Sequence, residues 1–468
     1  MLQNTGNMKM NFQTRNPFNG EVIATYDCDD LDGVNAKIGT VNDRFNAWRR
    51  VPPGERATLL QKALTYFDAN RDVIAREITG QMGKPLRQAK NEVATFFERA
   101  DYLLTTAEET LAPEVLAEKD GLCRRIEHVP LGTVMIFAAW NYPLLIAVNG
   151  VLAALLAGNS VVLKHARATL SIGEHFEKAF GRIEGHEGLL KHIVADHDTL
   201  AEVLQESNIH HVVFTGSVEG GQAVYQSTAK RAIECHLELG GKDGAFVDAD
   251  TDPVKAAEVL VDGAMYNAGQ SCCGIERVYA HEEIYDVFVE TCRELMTAYR
   301  LGDPMEDDTD LGPLIHANAA EKMEAQMEDA RRKGARVLCG GKKRLIGHGT
   351  FFEPTLLTDV THNMDVMREE NFGPIMPVMK VSGYDEAVAL INDSQYGLTS
   401  AIFTRDDRMA EQFSVDANTG TVFRNRCDYL DPALPWTGVK DSGKGSGLSR
   451  FGFYGLTRRK AIHFRQKL

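Results

Sequence analysis

Between residues 32 and 111 the apolar positions recur at helical spacing. Leu60, Leu64 and Phe67 stand among polar neighbours, and the period predicts helices interrupted at Pro85. Upstream, Asn16-Pro-Phe-Asn-Gly-Glu-Val-Ile reads as a turn leading into a strand. The rhythm then changes. Short apolar runs at 134–137, 161–163, 192–194, 212–215 and around Leu237 alternate with helix-like segments near 144–157, 169–181, 197–206 and 220–229. Such alternation implies βαβ units and a parallel sheet, in which ligands bind beyond the carboxyl ends of the strands. A second alternating region runs from about 243 to 441. Its strands are expected at 277–280, 336–339, 375–380, 399–403 and 421–424, and its helices near 252–268, 283–299 and 384–392. The run 460–464 is strand-like, as suits an inter-subunit arm.

Composition narrows the picture. The 468 residues exceed the ~250–300 at which one core stops growing, so two or more domains are expected. A 44% hydrophobic, 25% charged chain is ordinary for a globular protein, and a formal charge of −15 argues against nucleic acid or an anionic membrane as partner. The first fifteen residues have no signal-peptide pattern, and the apolar stretch 144–157 is too short to span a bilayer. Eight cysteines without CxxC spacing fit a cytoplasmic setting, and the fourteen histidines give no metal signature.

Several segments could carry chemistry. Asn267-Ala-Gly-Gln-Ser-Cys272-Cys273-Gly274 sets a cysteine pair between glycines. A thiolate attacks carbonyl carbon readily, although an inert core cysteine fits as well. In Leu237-Glu238-Leu239-Gly240-Gly241-Lys242 a carboxylate stands among apolar residues at a strand end. Desolvation raises such a pKa, as a general base requires; a structural Glu bonded to glycine amides is the plainer reading. Phe214-Thr-Gly216-Ser217 follows a strand and opens a helix, suiting either phosphate or a simple N-cap. Trp140-Asn141-Tyr-Pro143 offers an amide to an oxyanion, or is a turn before a helix. Lys164 ends a strand, where a cation suits a nucleotide or solvent. Glu370-Asn-Phe372-Gly-Pro sets a carboxylate and an aromatic beside a turn.

Taken together and in this order, these segments resemble the aldehyde dehydrogenase superfamily. The resemblance runs from Asn16-Pro-Phe-Asn-Gly, through Gly83-Lys-Pro85 and Pro130-Leu-Gly132, to Trp436-Thr-Gly-Val-Lys440 and Ser442-Gly443. The spacings also match, 23 residues from Asn141 to Lys164 and 34 from Glu238 to Cys272.

The resemblance implies a Rossmann-like cofactor-binding domain (1–111 and 131–241, with 442–456 returning to it), an α/β catalytic domain (242–441) and a small β oligomerisation arm (112–130 and 457–468). It implies Cys272 as nucleophile, Asn141 as oxyanion donor and Glu238 as the base that activates water. The cofactor, NAD or NADP, would meet Trp140, Lys164, Arg167, Gly216, Ser217, Leu239, Glu370 and Phe372. The family forms dimers and tetramers, so a homodimer or homotetramer is expected. Family members that use NAD+ often place a glutamate three residues after the lysine. Arg167 stands there instead and points toward NADP+. The pocket would be lined by Asn149, Tyr266, Leu430 and Trp436. Lys164-His165-Ala166 is similar to the succinate-semialdehyde branch, in which arginines commonly fix the distal carboxylate. The matching positions, Asn149 and Tyr266, are neutral. The expectation is therefore a small uncharged aldehyde, with Arg426 as the partner a semialdehyde acid would need. The alternatives are a succinate-semialdehyde-type enzyme, a CoA-acylating dehydrogenase and a silent binding protein.

Overall fold

The computed structural model describes residues 10–465 except residue 120. Four helices open the chain after a short strand pair: Leu31–Trp48, Pro53–Ala69, Arg71–Met82 and Leu86–Thr110. Asp30 caps the first by accepting from Gly33 N, and proline starts the second at its first turn, where no N–H is missed. Gly83, left-handed at φ 90°, ends the third, and Pro85 precedes the fourth. The helix-rich stretch and its break therefore lie where the apolar period places them.

A six-stranded sheet follows, in the order Gly443–Lys444, Glu234–Glu238, His211–Thr215, Thr133–Ala138, Ser160–His165, Leu190–Ile193. All its pairs are parallel except the Gly443–Lys444 edge. Every residue of Thr133–Ala138 is buried, as a central strand covered by helices on both faces requires. The chain order reverses at this strand, so a crevice opens beyond its carboxyl end and that of His211–Thr215. The helix Pro143–Leu156, apolar nearly all round, packs against this strand and Ser160–His165.

A second sheet of seven strands runs Arg336–Cys339, Thr355–Thr358, Ile375–Val381, Ile275–His281, Asp243–Val247, Thr399–Phe403, Thr421–Arg424. Only its Arg336–Cys339 edge is antiparallel. A third, antiparallel sheet joins Thr457–Arg465, Leu122–Pro130 and Glu114–Lys119.

Two differences from the sequence reading matter. The expected helix over 252–268 ends at Met265, and a 3₁₀ turn at Tyr266–Gly269 follows, with Asn267 and Ala268 both at φ 55°. Left-handed backbone at two residues with side chains holds strain that helix propensity cannot signal. The strands Asp243–Val247 and Thr355–Thr358, the hairpin Lys343–Ile346 with Gly349–Phe352, and the helices Ala319–Arg332 and Asp407–Asp416 were not anticipated. Among the described residues no helix is long and apolar enough to cross a membrane.

Candidate active site

Between the two large sheets lies a cavity of about 540 Å³. Cys272 and Glu238 both line it, with Asn149, Tyr266, Leu430, Trp436 and Leu239 from the expected set. Arg99, Thr215 and Asp428 line it too, unannounced by the sequence reading.

The strained turn positions the thiol. Asn267 donates through Nδ2 to the carbonyls of Asn141 and Gln270, each at 3.1 Å, and its N–H donates to Gln88 Oε1 at 3.1 Å. One side chain thus ties the Asn141 segment to the loop before Cys272. Gly241 brings the Glu238 strand end against the same loop: a Cβ there would sit 2.5 Å from the Cys272 carbonyl oxygen. Cys272 is half-buried and Cys273 buried. The Cys273 thiol donates to Asp428 Oδ1 at 3.0 Å, and Ser271 Oγ to the same oxygen at 3.1 Å. Its hydrogen bond with Cys272 and then burial push the Cys273 thiol well up, toward the neutral form. Both thiols line the cavity, but Cys273 is buried and engaged with Asp428, whereas Cys272 is the more accessible.

Glu238 is largely screened from solvent, its side chain 13% exposed. Its Oε2 accepts from Thr215 Oγ1 at 3.1 Å, and His236 Nε2 lies 3.4 Å from Oε1. His236 was legible in principle, since it precedes Glu238 by two on one strand face. Asn141 is buried and does not line the cavity, and among the described residues its side-chain amide has no hydrogen-bond partner.

The remaining predicted residues gather around the crevice beyond the six-stranded sheet. Lys164 has no ion pair or hydrogen-bond partner for its ammonium among the described residues. Burial and the nearby charge of Arg167 push it down to about 8. Arg167 is exposed, its guanidinium 4.0 Å from the Phe12 ring centroid. Ser217 caps the helix Val218–Ala229 by accepting from Gly220 N, and Gly216 N donates to the Glu238 carbonyl at 3.0 Å. Trp140 meets Phe372 edge-on at 5.6 Å. Glu370 Oε1 accepts from Gly241 N at 3.0 Å, and burial beside Glu276 pushes its carboxyl up to about 7. Beneath it Glu276 accepts from Asn371 N at 2.8 Å, Phe372 N at 2.9 Å and Lys242 Nζ at 2.8 Å, fixing the Glu370–Phe372 turn. Arg426 does not reach the cavity; it stacks over Tyr429 at 4.0 Å. No cluster of three His, Cys, Asp or Glu side chains among the described residues could hold a metal ion.

A doubly wound sheet with a partnerless Lys164 at its crevice adjoins a cavity that holds a thiol and a carboxylate. The sequence model of the aldehyde dehydrogenase family matches residues 4–462. The chain is 33% identical over 456 residues to an aldehyde dehydrogenase of Paenarthrobacter nicotinovorans, covering 97% of this chain and 99% of that one. It is 34% identical to a succinate-semialdehyde dehydrogenase [NADP(+)] of Deinococcus radiodurans, covering 96% and 94%. The structure of succinic semialdehyde dehydrogenase from Streptococcus pyogenes, in complex with NADP+, superposes with a TM-score of 0.92 at 29% identity, over 97% of this chain and all of that one (100%). This chain belongs to the aldehyde dehydrogenase family, and it is an NAD(P)-dependent enzyme that oxidises an aldehyde.

Proposed function

We propose that Cys272 is the nucleophile of a hydrolytic aldehyde oxidation, with Asn141 and Glu238 serving its two half-reactions. The observation that carries this reading is the shared cavity, which Cys272 enters from the loop before Ile275–His281 and Glu238 from the end of Glu234–Glu238. The Cys272 thiolate adds to the aldehyde carbon, and the oxyanion that forms is held by the partnerless Asn141 amide and the Cys272 backbone N–H. Such donors act most strongly where water is excluded. When bound, NAD(P)+ supplies the oxidant, taking the hydride that turns the adduct into a thioester. Glu238 then removes a proton from water, the water oxygen attacks the thioester carbon, and the acid leaves as the Cys272 thiolate is restored. Thr215 and His236 orient that carboxylate. A water-activating base would be superfluous if CoA cleaved the thioester, so Glu238 favours the hydrolytic enzyme. The test is the product: acid without added CoA supports the reading, and acyl-CoA alone would replace it.

The residues present fit a dinucleotide. Lys164, short of water and without an anion, suits the adenine ribose or its phosphate. Gly216 and Ser217 at the helix start suit the pyrophosphate. Glu370 suits the nicotinamide ribose, with Trp140, Leu239 and Phe372 walling the ring. Arg167 adds a second cation beside Lys164 and suits the 2′-phosphate of NADP+. Relatives named for NADP+ support that preference. On this reading the six-stranded sheet with the opening helices is the cofactor domain and the seven-stranded sheet the catalytic one. The three-stranded sheet, with Val115, Leu116 and Phe464 exposed, would be an arm that pairs copies of the chain. A cytoplasmic location fits the same enzyme.

The expectation of an uncharged aldehyde rested on a pocket without a cation. Arg99 removes that premise.

A further inference from the structure

We propose that Arg99 anchors an anionic group on the substrate, so that the aldehydes this enzyme prefers carry a carboxylate; this rests on the reading of the cavity as the aldehyde pocket. Arg99 stands on the buried face of Leu86–Thr110, with Gln88 and Glu92 on the same face. It lines the cavity that holds Cys272 and Glu238, and it is only 5% exposed. Its Nη1 donates to Asn149 Oδ1 at 3.2 Å. Its Nε is buried without any partner, and it makes no ion pair among the described residues. An uncompensated buried charge is costly, and proteins normally pair it.

The neighbouring carboxylates are engaged or remote. Glu92 gives Oε2 to Lys84 at 2.6 Å, and its Oε1 accepts from Leu144 N at 2.9 Å. Asp428 accepts from Ser271 and Cys273. Glu238 is held by Thr215. Glu258 and Asp262 line the cavity as exposed residues, where solvent screens them. The guanidinium therefore faces the cavity with donors to spare. Its planar fork matches a carboxylate in two parallel hydrogen bonds, which an alcohol or alkyl tail cannot supply. Arg99 lines the same cavity of about 540 Å³ as Cys272 and Glu238, so the aldehyde and its acid belong to one short molecule.

The test compares kcat/KM for 4-oxobutanoate and for its uncharged amide in wild type, Arg99→Met and Arg99→Lys. Wild type should favour the acid by roughly tenfold or more, as a charge-assisted hydrogen bond is worth. In Arg99→Met the ratio should fall to about one, and Arg99→Lys should fall between. Asn149→Asp is a second route: a carboxylate placed against Nη1 should compete with the substrate's and collapse the same ratio. Oxidation of the amide with no preference for the acid in wild type, or a ratio unmoved in Arg99→Met and Asn149→Asp, overturns the proposal and leaves the dehydrogenase reading standing. Oxidation of neither compound, nor of any aldehyde across a panel, overturns both.

Discussion

Four of the cations withdrawn from water lie around the candidate active site, and they fall into two regions. Under the active-site loops, Lys84 meets Glu92 at 2.6 Å and Lys242 meets Glu276 at 2.8 Å, each pair almost wholly inaccessible. Along the cavity and crevice, Arg99 and Lys164 form no ion pair among the described residues. The paired lysines hold backbone: Glu92 receives the amides that open the helix after Asn141, and Glu276 receives those of the Glu370–Phe372 turn. Of the unpaired cations, Arg99 makes one hydrogen bond, to Asn149, and Lys164 makes none among the described residues. On the proposed reading, ligand anions supply the counter-charges that Arg99 and Lys164 lack, while the satisfied pairs fix the geometry around them.

The largest effect should come at the nucleophile, which the paired scaffold holds in place. Cys272→Ala should lower NAD(P)H formation at 340 nm by roughly three orders of magnitude or more, as removal of a covalent nucleophile does. Cys273→Ala should keep a large part of it, since that thiol serves Asp428. Equal losses would erase the distinction between the two thiols.

Next, Lys242→Met leaves Glu276 charged and buried. It should cost about 3–5 kcal/mol of stability in denaturant titration. Arg99→Met removes a charge that has no partner, so its unfolding midpoint should stay level or rise. If both variants lose stability alike, the division into scaffold and ligand cations fails.

A smaller change is expected at the crevice. Arg167→Glu should lower kcat/KM for NADP+ about tenfold, the scale of a charged hydrogen bond, and shift preference toward NAD+. Strong NAD+ preference in wild type, unmoved by the substitution, would contradict the assignment. Acidity gives the smallest and finest probe. Lys164 is held down to about 8 by burial and by Arg167. It is charged below that pH and loses its proton above it. The KM for NADP+ should therefore rise above pH 8, by up to about tenfold per unit. A flat profile to pH 9.5 would place Lys164 outside the phosphate site.

Much of this was legible in the sequence. The helices before Pro85 and the strands at 134–137, 161–163 and 212–215 follow from apolar period, because local pattern and tertiary burial agree there. Glu238 and Cys272 stand beside glycines in the sequence, and the fold puts Gly241 against the Cys272 carbonyl. Other features depended on partners distant in the chain. Arg99 reads as one more polar residue on a long helix until Asn149 and the cavity are placed beside it. Asp428 becomes a ligand of Ser271 and Cys273 only across 157 and 155 residues. The helix Ala319–Arg332 is so rich in charge that its buried Met323 and Met327 give a weak apolar stripe. The strand Asp243–Val247 starts one residue after the Gly240-Gly241 pair, with little local signal of its own.

The central claim, a thioester on Cys272 resolved by Glu238, is tested most directly in Glu238→Gln. Rapid mixing with aldehyde and NADP+ should give a burst of NADPH near one equivalent per active site, followed by slow turnover. Acid-quenched protein should carry the acyl mass on the peptide that contains Cys272, and a Cys273→Ala background assigns it between the adjacent thiols. No burst and no adduct, or an adduct lost in that background, would contradict the account.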